Sequence, residues 1–369
     1  MKCTCSKNDL KDALRAVVRA LAVKPSTPVL AGIYLRAAGN ELELQATNFS
    51  IGVIAKVPAN IEAEGATVVT GKYFSDIINR LSGEIVTLTN ENDTSALTLK
   101  SDAASFEILS MDAEDFPRIS REAATHSFRI SRNTLKSLIH RTVFACAKDD
   151  SRPVFAGCLI DISGTSVTFV ATNASRIAIA RDTILDELDR LQFILHAATL
   201  KNLIAMLATA SDNAVSVAFS GNSVAFTFDN IFLTSRLIDG TFPPYDKIIP
   251  AACSTTATLS PSDLRVALDR MLIIAQETEY KSVLFRFTQD GLELSANSYA
   301  IGKSIEHIDS NVSGADLELS FNISFLTDAL KVFDSDALAF GMNQPLSPVK
   351  ISAAGDDSFT YIITPLRHQ

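Results

Sequence analysis

The chain has 369 residues, of which 47% are hydrophobic and 20% are charged. That composition excludes a disordered protein, and at about 150 residues per domain the length indicates two or three domains. The net charge of −9 is atypical of a protein that grips nucleic acid over its whole surface, because Lys and Arg supply most non-specific affinity for phosphates. Any surface that faces DNA must therefore be local.

The first residues turn polar where a secretory signal would have its apolar stretch, and no later apolar run reaches the roughly 18 residues of a membrane span. We therefore expect a cytoplasmic protein without membrane contact. The five cysteines are odd in number and include no Cys-x-x-Cys pair, so they fit neither a disulfide framework nor a zinc site. We interpret them as reduced structural thiols.

A threefold repeat emerges when the sequence is shifted against itself by about 125 residues. Each repeat opens with a serine, at Ser6, Ser131 and Ser260, which is predicted to cap a following amphipathic helix. The apolar residues of these helices have the i, i+4, i+8 spacing of a buried face. They are Leu10, Leu14 and Val18, then Leu135, Ile139 and Val143, then Leu264, Leu268 and Leu272.

A pair of alternating strands follows each first helix. The pairs end alike, at Ala46-Thr47-Asn48, Ala171-Thr172-Asn173 and Ala296-Asn297-Ser298. A second helix is predicted near 72–81, 199–208 and 324–333, and a hairpin follows it, most clearly from Val215 to Phe228.

Proline-containing segments close the first two repeats and are typical of linkers between domains. The predicted fold class is α+β, with three similar domains at 1–120, 121–250 and 251–369. Each domain is expected to contain two helices and antiparallel sheets.

The sequence offers no candidate catalytic centre. The five histidines form no metal-spaced pair, and neither His-Glu-x-x-His nor Gly-x-Ser-x-Gly occurs. We therefore predict no metal, no cofactor and no enzymatic activity. Because a catalytic triad need not be local in sequence, an enzyme with a dispersed site stays open, as does a monomeric β-rich binding scaffold.

Basic side chains recur on one flank of the first helix in each repeat. Lys11, Arg15 and Arg19 are spaced four residues apart in the first repeat, and Lys136 and Arg265 follow in the others. A solvated face is the simpler interpretation of any one helix, but recurrence in an acidic protein favours a shared surface that faces phosphates. The predicted DNA-facing residues are Lys7, Lys11, Arg15, Arg19, Lys24, Lys72, Arg80, Arg132, Lys136, Lys201, Arg265 and Lys331.

Several motifs together resemble the bacterial DNA polymerase III β subunit over the full length of the chain. They are Lys24-Pro25-Ser26-Thr27-Pro28-Val29-Leu30, Ala46-Thr47-Asn48, Thr172 with Arg176-Ile177-Ala178, Gly240-Thr241-Phe242-Pro243-Pro244-Tyr245, Ser320-Phe321-Asn322-Ile323-Ser324-Phe325 and Tyr361-Ile362-Ile363-Thr364-Pro365-Leu366-Arg367. The resemblance implies DNA-clamp domains that form half of a closed ring, completed in a head-to-tail homodimer.

The resemblance also implies the function. The ring would be a sliding clamp, a processivity factor that encircles double-stranded DNA independently of its sequence and tethers the replicative polymerase. Weak phosphate contacts suit this task, since tight base readout would stop sliding. The implied partners are a clamp loader complex, together with DNA polymerases and repair proteins that carry short linear motifs.

Two further sites follow from the resemblance. The partner cleft, an apolar site between the second and third domains that would bind the motifs, comprises Phe155, Thr172, Arg176, Ile177, Pro243, Lys247, Ile248, Asn322, Phe325, Leu346, Pro348, Ile362, Thr364, Pro365, Leu366 and Arg367. The implied dimer interface includes Ile77, Phe106, Ile108, Ile273, Ile274 and Glu306.

The chain departs from the family pattern in the partner cleft. Asn173-Ala174-Ser175 stands where the family often has Asp-Gly-His, Thr364 occupies a usually apolar position, and His368-Gln369 extend the usual end. These departures bear on which motifs the cleft prefers. In the 298–306 stretch, Glu306 is the one acidic residue where relatives have more, so weaker ion pairing is expected at the dimer interface.

Overall fold

The computed structural model describes residues 1–91, 95–121, 123–149 and 152–367, so His368 and Gln369 lie outside the described residues. The chain packs into two compact units. The first comprises Met1–Asn133 and Lys201–Leu237, and the second comprises Thr134–Leu200 and Ile238–Gln369. Among the described residues, no helix is long and apolar enough to cross a membrane.

Each repeat begins with a strand and a first helix and ends with a second helix and three strands. Between the two helices the described residues form four strands in the first repeat, two in the second and five in the third. The first contains β1 (Lys2–Ser6), α1 (Lys7–Val17), β2 (Gly32–Ala38), β3 (Glu41–Thr47), β4 (Ile51–Ala63), β5 (Gly65–Thr70), α2 (Gly71–Arg80), β6 (Ile85–Thr89), β7 (Ala96–Ser101) and β8 (Ala104–Met111). The second contains β9 (His126–Ser131), α3 (Arg132–Thr142), β10 (Gly157–Thr172), β11 (Arg176–His196), α4 (Ala197–Leu207), β12 (Ala214–Ser220), β13 (Ser223–Phe228) and β14 (Ile231–Arg236). The third contains β15 (Thr255–Leu259), α5 (Pro261–Ala275), β16 (Ser282–Thr288), β17 (Gly291–Ser298), β18 (Gly302–Ile308), β19 (Ser310–Ser313), β20 (Leu317–Asn322), α6 (Ile323–Leu330), β21 (Leu338–Met342), β22 (Val349–Ala353) and β23 (Asp356–Ile363).

The first helices begin where the sequence predicts. The hydroxyl oxygens of Ser6 and Ser260 accept hydrogen bonds from the amides of Asp9 and Asp263, each at 3.3 Å, which satisfies one otherwise unpaired donor of each first turn. The first two residues of each apolar stripe are buried. The third residues are half-buried, namely Val18, Val143 and Leu272. Val18 and Val143 fall on 3₁₀ turns that follow the helices, where the period of 3.6 residues no longer holds.

The second helices are also present. All three begin one or two residues earlier than predicted, and α6 ends at Leu330, three residues before the predicted end. The predicted hairpin is formed by β12 and β13, whose closing pair, Ser220 with Ser223, encloses the two-residue turn Gly221-Asn222. Strands β3, β10 and β17 end within the predicted Ala46-, Ala171- and Ala296-containing triplets.

In the first unit the strands form one 12-stranded sheet in the order β1-β6-β7-β8-β5-β2-β3-β4-β14-β13-β12-β9. Strand β4 pairs with β14 in antiparallel fashion, from Ile51 opposite Ser235 to Ala55 opposite Ile231. We call this pairing, with the turn before β4, the first joint, because it connects the first repeat to the second.

The second unit contains a seven-stranded sheet, β10-β11-β23-β22-β21-β15-β19, and a four-stranded sheet, β18-β17-β16-β20. Strand β11 pairs with β23, from Arg176 opposite Ile363 to Ala180 opposite Phe359. This pairing, with the turn before β11, is the second joint. It connects the second repeat to the third through an antiparallel strand pairing, as the first joint connects the first repeat to the second.

The five cysteines are free, as the sequence predicts. Burial raises the pKa of Cys3 to about 11 and that of Cys5 to about 12, so both side chains are neutral thiols at neutral pH. A neutral thiol is a poor nucleophile, which fits a structural role.

Candidate functional site

A tight turn at residues 172–176 leads into β11. The hydroxyl of Thr172 donates to the carbonyl of Arg176 at 2.7 Å and accepts from the amide of Ala174 at 3.1 Å. The side-chain oxygen of Asn173 accepts from the amides of Ser175 and Arg176, both at 3.1 Å. Ala174 has a φ of 75°, in the left-handed region. Local side-chain bonds to the backbone therefore hold the turn in place.

Arg176 is a buried cation, with 3% of its surface exposed. Its Nη1 donates to the Asp328 carboxylate at 3.1 Å, and its Nη2 donates to the carbonyl of Phe144 at 2.6 Å. The guanidinium also lies 4.5 Å from the ring centroid of Phe325. Its Nε is buried and makes no hydrogen bond within the described part of the chain. A buried donor without a partner costs free energy.

The Arg176 cavity, a space of about 490 Å³, opens beside this side chain. Three residues of the predicted partner cleft line it, namely Phe155, Arg176 and Phe325. The predicted set of cleft residues does not include the other lining residues, although Asn173 and Ala174 belong to a departure from the family pattern noted above. These other residues are Cys146, Ala147, Lys148, Asp149, Arg152, Asn173, Ala174, Ser324 and Asp328. The prolonged polar segment before Phe155 is the one sequence signal that could have indicated them.

The other predicted cleft residues differ in exposure. Thr172, Ile177, Ile362 and Pro365 are buried, Pro243, Asn322, Pro348 and Leu366 are half-buried, and Lys247, Ile248, Leu346, Thr364 and Arg367 are exposed. Ile177 and Ile362 belong to a core cluster of the second unit, against which Phe242 and Tyr245 pack. Ile177 and Ile362 are 6% and 1% exposed, so little of either side chain is available to contact a ligand.

The chain end is anchored beside the turn. The amide of Thr364 donates to the carbonyl of Ser175 at 3.0 Å, and the amide of Leu366 donates to the carbonyl of Ser320 at 2.7 Å. Tyr361, three residues earlier on β23, is fully buried, and its hydroxyl donates to the carbonyl of Phe325 at 2.8 Å. These hydrogen bonds hold the chain end against the turn at 172–176 and the end of β20.

Three of the predicted DNA-facing residues donate side-chain hydrogen bonds to backbone carbonyls. The side chains of Lys7, Arg132 and Arg265 donate to the carbonyls of Leu81, Ala210 and Leu330, respectively. Each acceptor lies at or just beyond the end of the second helix of the same repeat, where helix carbonyls lack intrahelical partners. These cations therefore tie the two helices of each repeat together.

Two more predicted DNA-facing residues form ion pairs within a turn of helix, Arg15 with Asp12 and Lys331 with Asp328. The remaining predicted cations have no ion-pair partner in the described ranges. They are Lys11, Arg19, Lys24, Lys72, Arg80, Lys136 and Lys201. These seven are the better candidates for contact with phosphates.

The predicted dimer-interface residues lie on two strands and two helices. Phe106 and Ile108 lie on β8, Glu306 on β18, Ile77 on α2, and Ile273 and Ile274 on α5. Strand β8 pairs with β5 only at Met111 and Ser110, and β18 ends the four-stranded sheet, so both present unpaired backbone among the described residues. Ile77, Ile108 and Ile274 are half-buried. Exposed apolar residues that flank these edges are Phe106, Leu109, Ile273, Ile301 and Ile305, of which the sequence analysis identified Phe106 and Ile273.

Glu306 on β18 is engaged within the chain. Arg270 donates to its two carboxylate oxygens at 2.6 and 2.7 Å, and this hydrogen bonding lowers the pKa of Glu306. Among the described residues, no group of three or more His, Cys, Asp or Glu side chains is placed to hold a metal ion.

Three repeats, each with two helices and joined by continuous antiparallel sheets, define a DNA-clamp type of architecture. Models of the DNA polymerase III beta subunit match the chain in three consecutive segments. The N-terminal domain model matches residues 1–120, the central domain model 129–244 and the C-terminal domain model 246–367. The chain therefore belongs to the DNA polymerase III beta subunit family.

Similar proteins span the whole chain. The beta sliding clamp of Synechocystis sp. is 28% identical and is aligned over 100% of this chain and 99% of its own length. The crystal structure of the DNA polymerase III beta subunit of Thermotoga maritima is 26% identical with a TM-score of 0.95. That of the sliding clamp from Bacillus subtilis is 25% identical, also with a TM-score of 0.95. Both structures cover 100% of each chain.

Proposed function

We propose that two copies of this chain close head to tail into a ring that encircles double-stranded DNA and tethers the replicative polymerase. The chain is a DNA sliding clamp by family, a non-catalytic processivity subunit. The observation that carries this function is the consecutive match of all three family domain models along the chain. The mechanism is topological, so no bond in DNA is formed or cleaved.

The ring would form at the two unlike ends of the protomer. We propose domain boundaries at 120/121 and 250/251, with β8 of the first domain meeting β18 of the third domain of a second copy. Unpaired strand edges are templates for pairing with another chain, and a head-to-tail contact closes a ring when its rotation permits. The exposed Phe106 and Ile273 supply the apolar component of this contact.

Sedimentation equilibrium at micromolar concentration tests the dimer. Phe106→Asp places a charge in the apolar contact and should shift the protein to monomer. Leu185→Asp, at an exposed apolar side chain on β11 outside the proposed contact, is the matched control and should stay dimeric. A monomeric wild-type protein, or a dimeric Phe106→Asp variant, would contradict the proposed interface.

We assign the phosphate contacts to the cations that form no ion pair among the described residues. Replacing Lys11, Lys72, Lys136 and Lys201 with Ala should reduce loading onto DNA and flatten its dependence on salt, by roughly 0.9 in the log–log slope for each lost contact. Arg265→Ala is the control, since Arg265 donates to the carbonyl of Leu330. It should lower stability and leave the salt slope unchanged.

The partner cleft would receive extended segments of polymerases and repair proteins. Its exposed apolar side chains Ile248 and Leu346 can cover a large apolar side chain, whose burial contributes about 1.5 to 3 kcal/mol. A clamp loader that opens the ring is the further expected partner, and the cytoplasm is the expected compartment.

Deletion of Pro365 through Gln369 tests the cleft. It removes one wall but neither the cations nor Phe106, so the truncated protein should remain dimeric and lose polymerase stimulation. Calorimetry with peptides that carry two large apolar side chains should show the matching loss of affinity. Unchanged affinity in a folded, dimeric truncation would mean that the cleft lies elsewhere.

A further inference from the structure

The first unit contains a second copy of the turn that borders the partner cleft. The hydroxyl of Thr47 donates to the carbonyl of Ile51 at 3.0 Å and accepts from the amide of Phe49 at 3.1 Å. The side-chain oxygen of Asn48 accepts from the amides of Ser50 and Ile51, at 3.1 and 3.0 Å. Phe49 has a φ of 68°, close to that of Ala174. Each bond of the turn at 172–176 therefore has an equivalent at 47–51.

The neighbouring strand is repeated as well. The amide of Arg236, at the end of β14, donates to the carbonyl of Ser50 at 3.0 Å. This bond is equivalent to the one from Thr364 to Ser175 at the chain end, which has the same length. Gly52 is paired with Thr234 as Ile177 is paired with Ile362. The structure thus repeats the turn and its pairing with the neighbouring strand, once in each unit.

A groove of about 350 Å³ lies along the first joint, and we call it the Phe49 groove. Its walls are the turn, the end of β14, the β12–β13 hairpin and the linker after β8. It is lined by Thr47, Phe49, Ser50, Ile51, Gly52, Pro117, Arg118, Ile119, Ser120, Ala124, Ala218, Phe219, Ser220, Ser223, Ala225, Phe232, Thr234, Ser235 and Arg236.

The side chains of the Phe49 groove differ in charge from the protein as a whole. Among the described residues its lining contains two arginines and no carboxylate, although the chain carries a net charge of −9. Arg118 and Arg236 are exposed, and neither has an ion-pair partner among the described residues. Arg121, just outside the groove, stacks over the ring of lining residue Phe232 at 4.8 Å. The groove is therefore locally positive and complementary to carboxylates.

Phe49 gives the groove an apolar contact surface. Its side chain is 55% exposed, although its backbone is in a left-handed conformation that is strained for a bulky residue. Ala174, at the equivalent position of the second joint, presents only a methyl group. An exposed aromatic ring held at the cost of strain is a feature that clusters at binding sites.

We propose that the Phe49 groove is a second docking site, for an extended acidic peptide segment with one large apolar side chain. Arg118 and Arg236 pair with its carboxylates, and the apolar side chain packs on Phe49. The apolar surface favours a peptide over a free inorganic anion. The proposal rests on the proposed function only for the equivalence to the partner cleft, because the charge and the groove belong to the first unit.

The test is a selection of random displayed octapeptides against the full chain that lacks Pro365 through Gln369, so that the partner cleft is disabled. Enriched peptides should carry two or more carboxylates and a large apolar residue. Fluorescence anisotropy with an enriched peptide should then show at least a tenfold loss of affinity in the Arg118→Glu, Arg236→Glu double variant. Phe49→Ala should cause a loss of about tenfold without a change of charge.

Controls separate this proposal from the partner cleft. Arg190→Glu with Arg286→Glu makes the same change in net charge on exposed side chains of the second unit and should leave affinity unchanged. Restoring the deleted tail should also leave it unchanged. Selection without enrichment of acidic peptides, or enriched peptides whose affinity the groove variants do not alter, would overturn the proposal. Loss of binding only in partner-cleft variants would overturn it too, while leaving the proposed function intact.

Discussion

At the first joint Ile51 is the last residue of the turn and Gly52 follows it. At the second joint Arg176 and Ile177 occupy these two positions. A Cβ on Gly52 would lie 3.0 Å from Cδ1 of Ile119, so the glycine lets the linker pack directly on the strand. Ile177 instead fills the equivalent space with its own buried side chain. One backbone arrangement therefore supports two different surfaces.

The comparison separates what the repeat preserves from what it varies. The hydrogen bonds of Thr47 and Thr172 preserve the backbone of the turn. Side chains on the neighbouring strand differ, since Tyr361 of β23, opposite Ala178, occupies the place that Leu233 of β14, opposite Val53, occupies in the first joint. We therefore expect specificity for a partner to reside in the side chains that differ and not in the turn.

The largest expected difference in stability between the joints concerns the first residue of the strand after the turn, which is Arg176 of β11 or Ile51 of β4. Arg176→Met should lower the free energy of unfolding by roughly 3 kcal/mol, because it leaves the carbonyl of Phe144 and part of Asp328 without a donor. Ile51→Met, which conserves volume at a buried apolar position, should cost less than about 1.5 kcal/mol. Urea unfolding of both variants measures this difference. Equal losses of unfolding free energy would contradict the expected difference between the joints.

A smaller and symmetrical effect is expected in the turns themselves. Thr47→Val and Thr172→Val keep the side-chain shape and remove the bond to the carbonyl four residues on, at a cost of roughly 1 to 2 kcal/mol each. The two losses, measured by urea unfolding, should agree within about 0.5 kcal/mol. Markedly unequal values would show that the turns are alike in geometry but not in energetic role.

The smallest effect is a dependence on alkaline pH that only the second joint should show. Burial raises the pKa of Tyr361 above its ordinary value of 10.0, although nearby Arg176 opposes the shift. Since the folded state holds the proton more tightly, this contribution to stability is complete below pH 10 and is lost as the pH rises above it. Wild-type protein should therefore lose stability more steeply above pH 10 than Tyr361→Phe. If the stability of both proteins fell equally with pH above 10, Tyr361 would not be the source of the dependence.

Much of the fold could be predicted from the sequence, because periodicity reports directly on buried faces. The stripes that begin at Leu10, Leu135 and Leu264 and the hairpin around Gly221 follow from local spacing alone. The half-burial of Val18 could not be predicted, since the change from α-helix to 3₁₀ turn depends on tertiary packing. The domain boundaries remain predictions.

The site was harder to predict, since charged side chains look alike in sequence whatever they contact. Lys7, Arg132 and Arg265 fitted a basic stripe, yet each donates to a carbonyl near the end of a second helix far along the chain. The burial of Arg176 likewise depends on Asp328, 152 positions away. The family resemblance supplied the predicted cleft residues, but only the folded chain distinguishes buried Ile177 from exposed Leu346.

The most direct test of the account is retention on DNA of defined topology. Protein loaded by a clamp loader onto a nicked circular duplex should remain bound through gel filtration, and cutting the circle once should release it from the free ends. Blocking both ends of the linear duplex with bulky proteins should restore retention. Equal retention on open linear and circular DNA would show that the protein holds DNA by contact and not by encirclement, and would contradict the sliding-clamp function.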